Sequence, residues 1–212
     1  YLNDWLEKFK HLIPKSLGGT NNELDNINKK LNWRCSAWNY KASLWFRKIA
    51  SLEYAHRTFG KEYDTIIWID SDVEILKHIN VKFLNSLFNN KNIFYFLGNK
   101  REKINSGIES GFIGFRYEKG LEFLEKVFKI YMSGEFQSIK RWDDGFVFKV
   151  LIKKNIEIAN DFSDNKHDTM NYNPINTYLI HKKGSHAKNN IDFYPSETNF
   201  LLVDSSKPYK ET

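Results

Sequence analysis

The sequence predicts an α/β fold in which a mostly parallel, mixed sheet is flanked by helices. Three observations lead there. Short, apolar, β-branched runs such as Thr65–Ile69 and Ile93–Leu97 have the length and composition of buried strands. Stretches with apolar residues at helical spacing lie between them. The two kinds alternate, which is the pattern of layered α/β proteins. The chain has 212 residues, of which 16% are aromatic, enough to fill one sizeable core, so a single domain over residues 1–212 is expected.

Taken in order, Trp5, Leu6, Phe9, Leu12 and Ile13 recur at helical spacing, predicting a short helix over Asn3–Ile13 with Asn3 or Asp4 as cap and Pro14 beyond its end. Gly18, Gly19, Asn21 and Asn22 mark a loop. A long one-sided helix is expected over Trp38–Phe59, stopped by Gly60. Thr65–Ile69 then reads as a strand buried on both faces. Downstream the spacing predicts a helix at Val81–Phe88, strands at Ile93–Leu97 and Gly111–Arg116, and a helix at Glu118–Tyr131. A helix opening at Asp143 or Asp144 and running to about Lys153 precedes a strand at Ile156–Ala159. Beyond residue 160 regularity fades, leaving apolar pieces at Thr177–Ile180 and Phe200–Val203.

Composition excludes several functions. Cys35 is the only cysteine, so neither an internal disulfide nor a cysteine-built metal site can form, and a reducing compartment fits. No apolar stretch approaches the roughly 20 residues of a membrane span. The net charge of +6 is interleaved with acidic residues and selects no partner by itself. Zinc-finger spacing, RNP-like aromatics and a zipper-type basic helix are all missing, so nucleic acid is not an expected partner. A first residue of Tyr1 reads as part of a longer product.

The chemistry concentrates at Asp70-Ser71-Asp72, immediately after the strand run. In open α/β sheets ligands sit beyond the carboxyl ends of the strands. Two carboxylates two residues apart on an extended backbone point the same way, and such hard oxygen donors suit Mg²⁺ or Mn²⁺ in company with phosphates. The bland alternative is that both aspartates cap a turn. Haloacid-dehalogenase-type phosphatases also place such a pair after an apolar strand. Here about 65 residues precede it, and the later pair Asp143-Asp144 opens a helix instead of ending a strand.

At these residues the chain resembles the GT-A class of nucleotide-sugar glycosyltransferases, over roughly Trp45–Lys188 and by motif order. Arg47 and Lys48 are similar to the basic residue that these enzymes direct at the donor. Glu109-Ser110-Gly111-Phe112 looks like the strand lining the sugar and acceptor side, with Ser110 and Gly111 small enough for a sugar to approach. Trp142-Asp143-Asp144-Gly145 looks like the acidic helix start that faces the reacting sugar, with Trp142 as a stacking candidate. His181-Lys182-Lys183-Gly184 followed by Lys188 resembles the His-x-x-Gly-x-x-Lys motif of glycogenin-like and bacterial lipooligosaccharide galactosyltransferases, with one extra residue before Lys188, so His186 or Lys183 is an alternative phosphate ligand.

The resemblance implies a GT-A-like three-layer sandwich. It implies Mn²⁺ or Mg²⁺ held by Asp70, Asp72 and His181, and a nucleotide-diphosphate sugar, UDP-linked by expectation, bound by Arg47, Lys48, Asp70, Lys183, Gly184, His186 and Lys188. Asp143, Asp144 and Glu109 would be the catalytic carboxylates, with Asp144 as base if the stereochemistry inverts. The acceptor would be a glycan or glycoprotein. The location implied is the cytoplasm, that of a host for a viral enzyme, with peripheral membrane association compatible. A phosphatase and a non-catalytic glycan-binding module remain as alternatives. His11, His56, His78 and His167 are expected to be structural or solvated.

Overall fold

The computed structural model describes residues 1–12, 42–164, 166, 167 and 169–182. Their elements are α1 (Leu2–Lys8), α2 (Ala42–Phe59), β1 (Thr65–Ile69), β2 (Val73–Ile75), α3 (Val81–Phe88), β3 (Ile93–Phe96), α4 (Asn99–Lys103), β4 (Glu109–Arg116), α5 (Lys119–Ser133), α6 (Asp144–Ile152), β5 (Ala159–Asp161), α7 (Ile175–Tyr178) and β6 (Leu179–His181). Single 3-10 turns lie at Lys10–Leu12, Glu135–Ser138 and Ile156–Ile158. The expected loop around Gly18, the first residues of the long helix and the Phe200–Val203 piece lie outside the described residues.

The fold is α/β with a mixed four-stranded sheet in the order β1-β4-β3-β5. β3 and β5 pair in parallel, whereas β4 is antiparallel to both β1 and β3. β1, β3 and β5 therefore share one direction, and β4 alone opposes them from its place between β1 and β3. This inserted strand makes the ladders more antiparallel than the alternation of elements predicts. A separate two-stranded ribbon pairs β2 with β6.

Alternate residues of the strands feed two cores. On one face Ile66, Trp68, Ile93, Tyr95, Ile113 and Phe115 meet α1, α2, α5 and α6 through Trp5, Phe46, Ile49, Leu124, Val127 and Phe148. On the other, Ile67, Ile69, Phe94, Phe96 and Phe112 meet Phe83, Leu87 and Phe88 of α3 and Ile175 of α7. The result is helix, sheet and helix in three layers, as period-two alternation requires.

The helix ends follow their residues. Asn80 caps α3 by accepting from the Phe83 amide at 2.9 Å, and Asn89 closes it in the left-handed region at φ 46°. Neither Asn3 nor Asp4 caps α1. The helix starts one residue earlier, at Leu2, and Tyr1 in the cap position makes no side-chain cap bond. Packing decides the start here: buried Trp5 donates its indole N–H to the Tyr131 carbonyl at 2.9 Å.

Two strand expectations need correction. Every residue of β1 is half-buried, not buried on both faces, because β1 is an edge strand among the described strands. Ile156–Ile158 forms a 3-10 turn, and the strand is Ala159–Asp161, where the chain first reaches β3. No described helix is long and apolar enough to cross a membrane.

Candidate metal centre

β1 delivers Asp70 to the end of the sheet, where its amide donates to the Gly111 carbonyl at 2.8 Å. The chain then turns, with the Val73 amide bonded to the Asp70 carbonyl at 3.0 Å. Asp70 and Asp72 thus sit in a turn and not on extended backbone. Their approach to each other comes from what the turn leads into. β2 pairs with β6 so that Val73 lies opposite His181, and the Lys182 amide donates to the Asp72 carbonyl at 2.8 Å. That register sets the imidazole beside the second aspartate, with His181 Nε2 3.0 Å from Asp72 Oδ1.

Two further features fix His181. The Asn171 side chain grips its backbone like a neighbouring strand, accepting from the His181 amide at 2.8 Å and donating to the His181 carbonyl at 3.0 Å. The ring lies against Gly111, where a Cβ would come within 2.4 Å of Cε1. The space left by the missing Gly111 side chain, expected to admit a sugar, holds the imidazole.

Asp70, Asp72 and His181 each bring one donor atom to within 4.8 Å of the others. The donor set fits a divalent cation: at metal–ligand distances of about 2.1 Å, adjacent octahedral ligands lie about 3.0 Å apart, which matches the Asp72–His181 separation. Two carboxylates and one imidazole suit Mn²⁺ better than Mg²⁺, which prefers oxygen alone.

Lys48, on α2, is 8% exposed in its side chain and forms ion pairs with Asp70 Oδ1 at 2.9 Å and Asp144 Oδ2 at 3.0 Å. Its ammonium also donates to the Ser110 carbonyl at 3.2 Å and lies 5.3 Å from the centre of the Trp68 ring. Burial alone pulls its pKa down, but the Asp144 and Asp70 carboxylates outweigh burial and hold it above the ordinary lysine value. Asp70 Oδ1 also accepts from the Trp68 indole at 2.5 Å.

Asp144 is brought to Lys48 by a close backbone approach, in which the Ile108 amide donates to the Gly145 carbonyl at 2.9 Å. A Cβ on Gly145 would meet the Ile108 carbonyl at 2.6 Å, and one on Gly107 the Phe146 amide at 2.4 Å, so both positions require glycine. Asp143 is the cap of α6. One oxygen accepts from the Phe146 amide at 3.2 Å and the other from Arg141 at 2.8 Å. Burial raises its pKa, Arg141 opposes the rise, and neighbouring Asp144 adds to it.

Glu109 is 2% exposed. One oxygen meets Arg101 at 2.5 Å and the other lies 3.3 Å from His181 Nδ1. A cleft of about 240 Å³ borders it, lined by Met170, Asn171, Ile180, His181 and Lys182.

The fold therefore brings Lys48, Asp70, Asp72, Glu109, Asp144 and His181 together. Arg47 is exposed on α2, about 100° around the helix from Lys48, and does not join them. Trp142 is 3% exposed and packs edge-on to Phe136 at 5.2 Å, so it is core and not a stacking platform. Lys183, Gly184, His186 and Lys188 lie outside the described residues. His56 is a core histidine, fully buried and 3.2 Å from the Arg116 carbonyl.

Sequence reasoning missed Arg101, Asn171 and the Trp68–Asp70 bond. Only the last leaves a signal, since residues two apart at a strand end share a face. Comparison with protein-family models, curated protein sequences and solved structures gave no match.

Proposed function

We propose that the chain is a metal-dependent glycosyltransferase that moves a sugar from a nucleotide-diphosphate donor, UDP-linked in the first instance, to a glycan or glycoprotein acceptor. The observation that carries this reading is the convergence of Asp70, Asp72 and His181 just past the end of β1, with Lys48 beside them. When bound, the divalent cation supplies a Lewis acid against the charge that develops on a departing diphosphate. The protein's own part is to hold that site rigid. Lys48 and Trp68 fix one Asp70 oxygen, the β2–β6 register and Asn171 fix His181, and Asp144 holds the Lys48 ammonium in place. Asp144 is 3% exposed in its side chain, which favours this anchoring part over proton abstraction from an acceptor.

A haloacid-dehalogenase-type phosphatase is less well supported. That chemistry needs a second acidic group at a strand end, whereas Asp143 caps α6 and Asp144 opens it.

Calorimetric titration of UDP and GDP in the presence of Mn²⁺, repeated with EDTA, tests the proposal. Micromolar binding of one nucleotide, lost with EDTA and in Asp72→Asn, is the expected result. Equal heats with and without metal would refute it.

A further inference from the structure

Exposed aliphatic side chains are ordinary when scattered and informative when they gather. Of the nine large hydrophobic side chains exposed among the described residues, three fall within seven positions: Ile75 at 44%, Leu76 at 47% and Val81 at 59%. Ile75 ends β2, Val81 opens α3, and the chain between them folds around Tyr178. The Leu76 and Lys77 amides donate to the Tyr178 carbonyl at 2.8 and 3.3 Å. The Phe83 ring, two residues after Val81, stacks on the Tyr178 ring with centroids 3.9 Å apart. Tyr178 thus draws both ends of the segment to one place.

The charge beside these side chains has one sign. Lys77 and Lys82 are exposed, and the Lys77 ammonium lies 5.9 Å from the centre of the Tyr178 ring. Glu74, the only acidic residue between Asp72 and Glu102 in the sequence, is neutralised by Lys182 at 2.6 Å. Lys82 sits in the first turn of α3, which holds no acidic residue, so its charge works against the helix dipole. Helix stability does not account for a cation there. Aliphatic groups rimmed by lysines fit the interface of an anionic bilayer, where the former enter the acyl boundary and the latter reach the phosphates. A second copy fits less well, because a two-fold contact would bring the same cations together at its rim.

We infer that segment 75–82 is a docking surface for a membrane rich in anionic lipid, to which the chain attaches peripherally. Asp72 precedes Ile75 by three residues, roughly 10 Å of extended chain, so docking holds the candidate metal centre near the headgroups. None of the docking residues belongs to that centre, and the inference stands whether or not a cation binds there.

Flotation of the whole chain with vesicles, in EDTA and about 0.1 M salt, tests it. Binding is expected to phosphatidylcholine vesicles containing about 30% phosphatidylglycerol, and to be much weaker with phosphatidylcholine alone. Lys77→Gln with Lys82→Gln should weaken it about 30-fold. Leu76→Ser with Val81→Ser should weaken it about 10-fold or more. All four positions are exposed, so thermal melts of both variants should match the wild type. Lys126→Gln with Lys129→Gln, an equal loss of charge on the exposed side of α5, should bind like the wild type. No binding to anionic vesicles, equal binding to neutral ones, or equal losses in the two lysine pairs overturns the inference. So does a dimer in sedimentation velocity without vesicles that Leu76→Ser with Val81→Ser abolishes, since the patch would then belong to a second copy.

Discussion

Lys48→Met removes a buried ammonium from between two carboxylates while keeping most of its volume. The two partners differ in exposure. The Asp70 side chain is 30% exposed, so water screens much of that pair, whereas Asp144 at 3% would be left as a buried charge without compensation. Breaking a buried pair by deleting one partner costs about 3–5 kcal/mol. With only one of the two carboxylates deeply buried, the lower end applies, about 3 kcal/mol. For a urea m-value of about 2–3 kcal/mol/M, the midpoint should fall by about 1–1.5 M, with m unchanged. Asp144→Leu added to Lys48→Met should recover most of that loss, because two apolar groups replace two buried charges.

The pH dependence has a definite sign. In the wild type the folded-state pKa of Lys48 is raised, so its stabilisation is fully present below the ordinary value of 10.5 and is lost as pH rises through the higher folded value. A midpoint shift under about 0.3 M, or a double variant no better than the single one, would show that Lys48 does not neutralise Asp144.

Three other outcomes can be checked directly. Gly111→Ala puts a methyl group 2.4 Å from His181 Cε1, so it should cost about 1–3 kcal/mol in urea unfolding and abolish Mn²⁺ binding by paramagnetic resonance. Tyr131→Phe strips the phenol that donates to the buried Trp142 carbonyl at 2.7 Å and should cost about 1–3 kcal/mol by the same assay, with Mn²⁺ affinity unchanged. Asp143→Ala should lose about 1 kcal/mol or more through the α6 cap, whereas Asp143→Asn keeps an accepting oxygen for the Phe146 amide and should lose less in thermal melts.

The sequence carries those features whose signal lies in neighbouring residues. Val81–Phe88 reads as a helix because its cap and apolar stripe are local, and the Asp70-Ser71-Asp72 pair is visible because a strand run precedes it at once. His181 stands out through the apolar residues before it and the glycine after. β2 and β6, by contrast, have three residues each, too few for any periodicity, and exist only as each other's partner. α4, Asn99–Lys103, has no apolar residue to mark it. Glu109 was visible as a carboxylate, but its direction was not, since that depends on Arg101 eight residues before it and His181 on another strand. Asn171 is one asparagine among many until its side chain is seen standing in for a strand. In each case the missing information was a tertiary partner.

The ribbon that unites Asp72 with His181 joins residues 109 positions apart. At roughly 5–20 residues per second, a ribosome takes roughly 5 to 20 seconds to add the stretch between them. β1, β3 and β4 can pair in that interval, since all three lie before residue 117. The aspartate turn then waits without its imidazole, and the closing contact of the centre must follow the larger sheet because its loop is so long. On the metal-site reading proposed above, cation capture would be a late event in the life of the chain, and Mn²⁺ uptake should trail the pairing of β1, β3 and β4 when the unfolded protein is returned to native conditions.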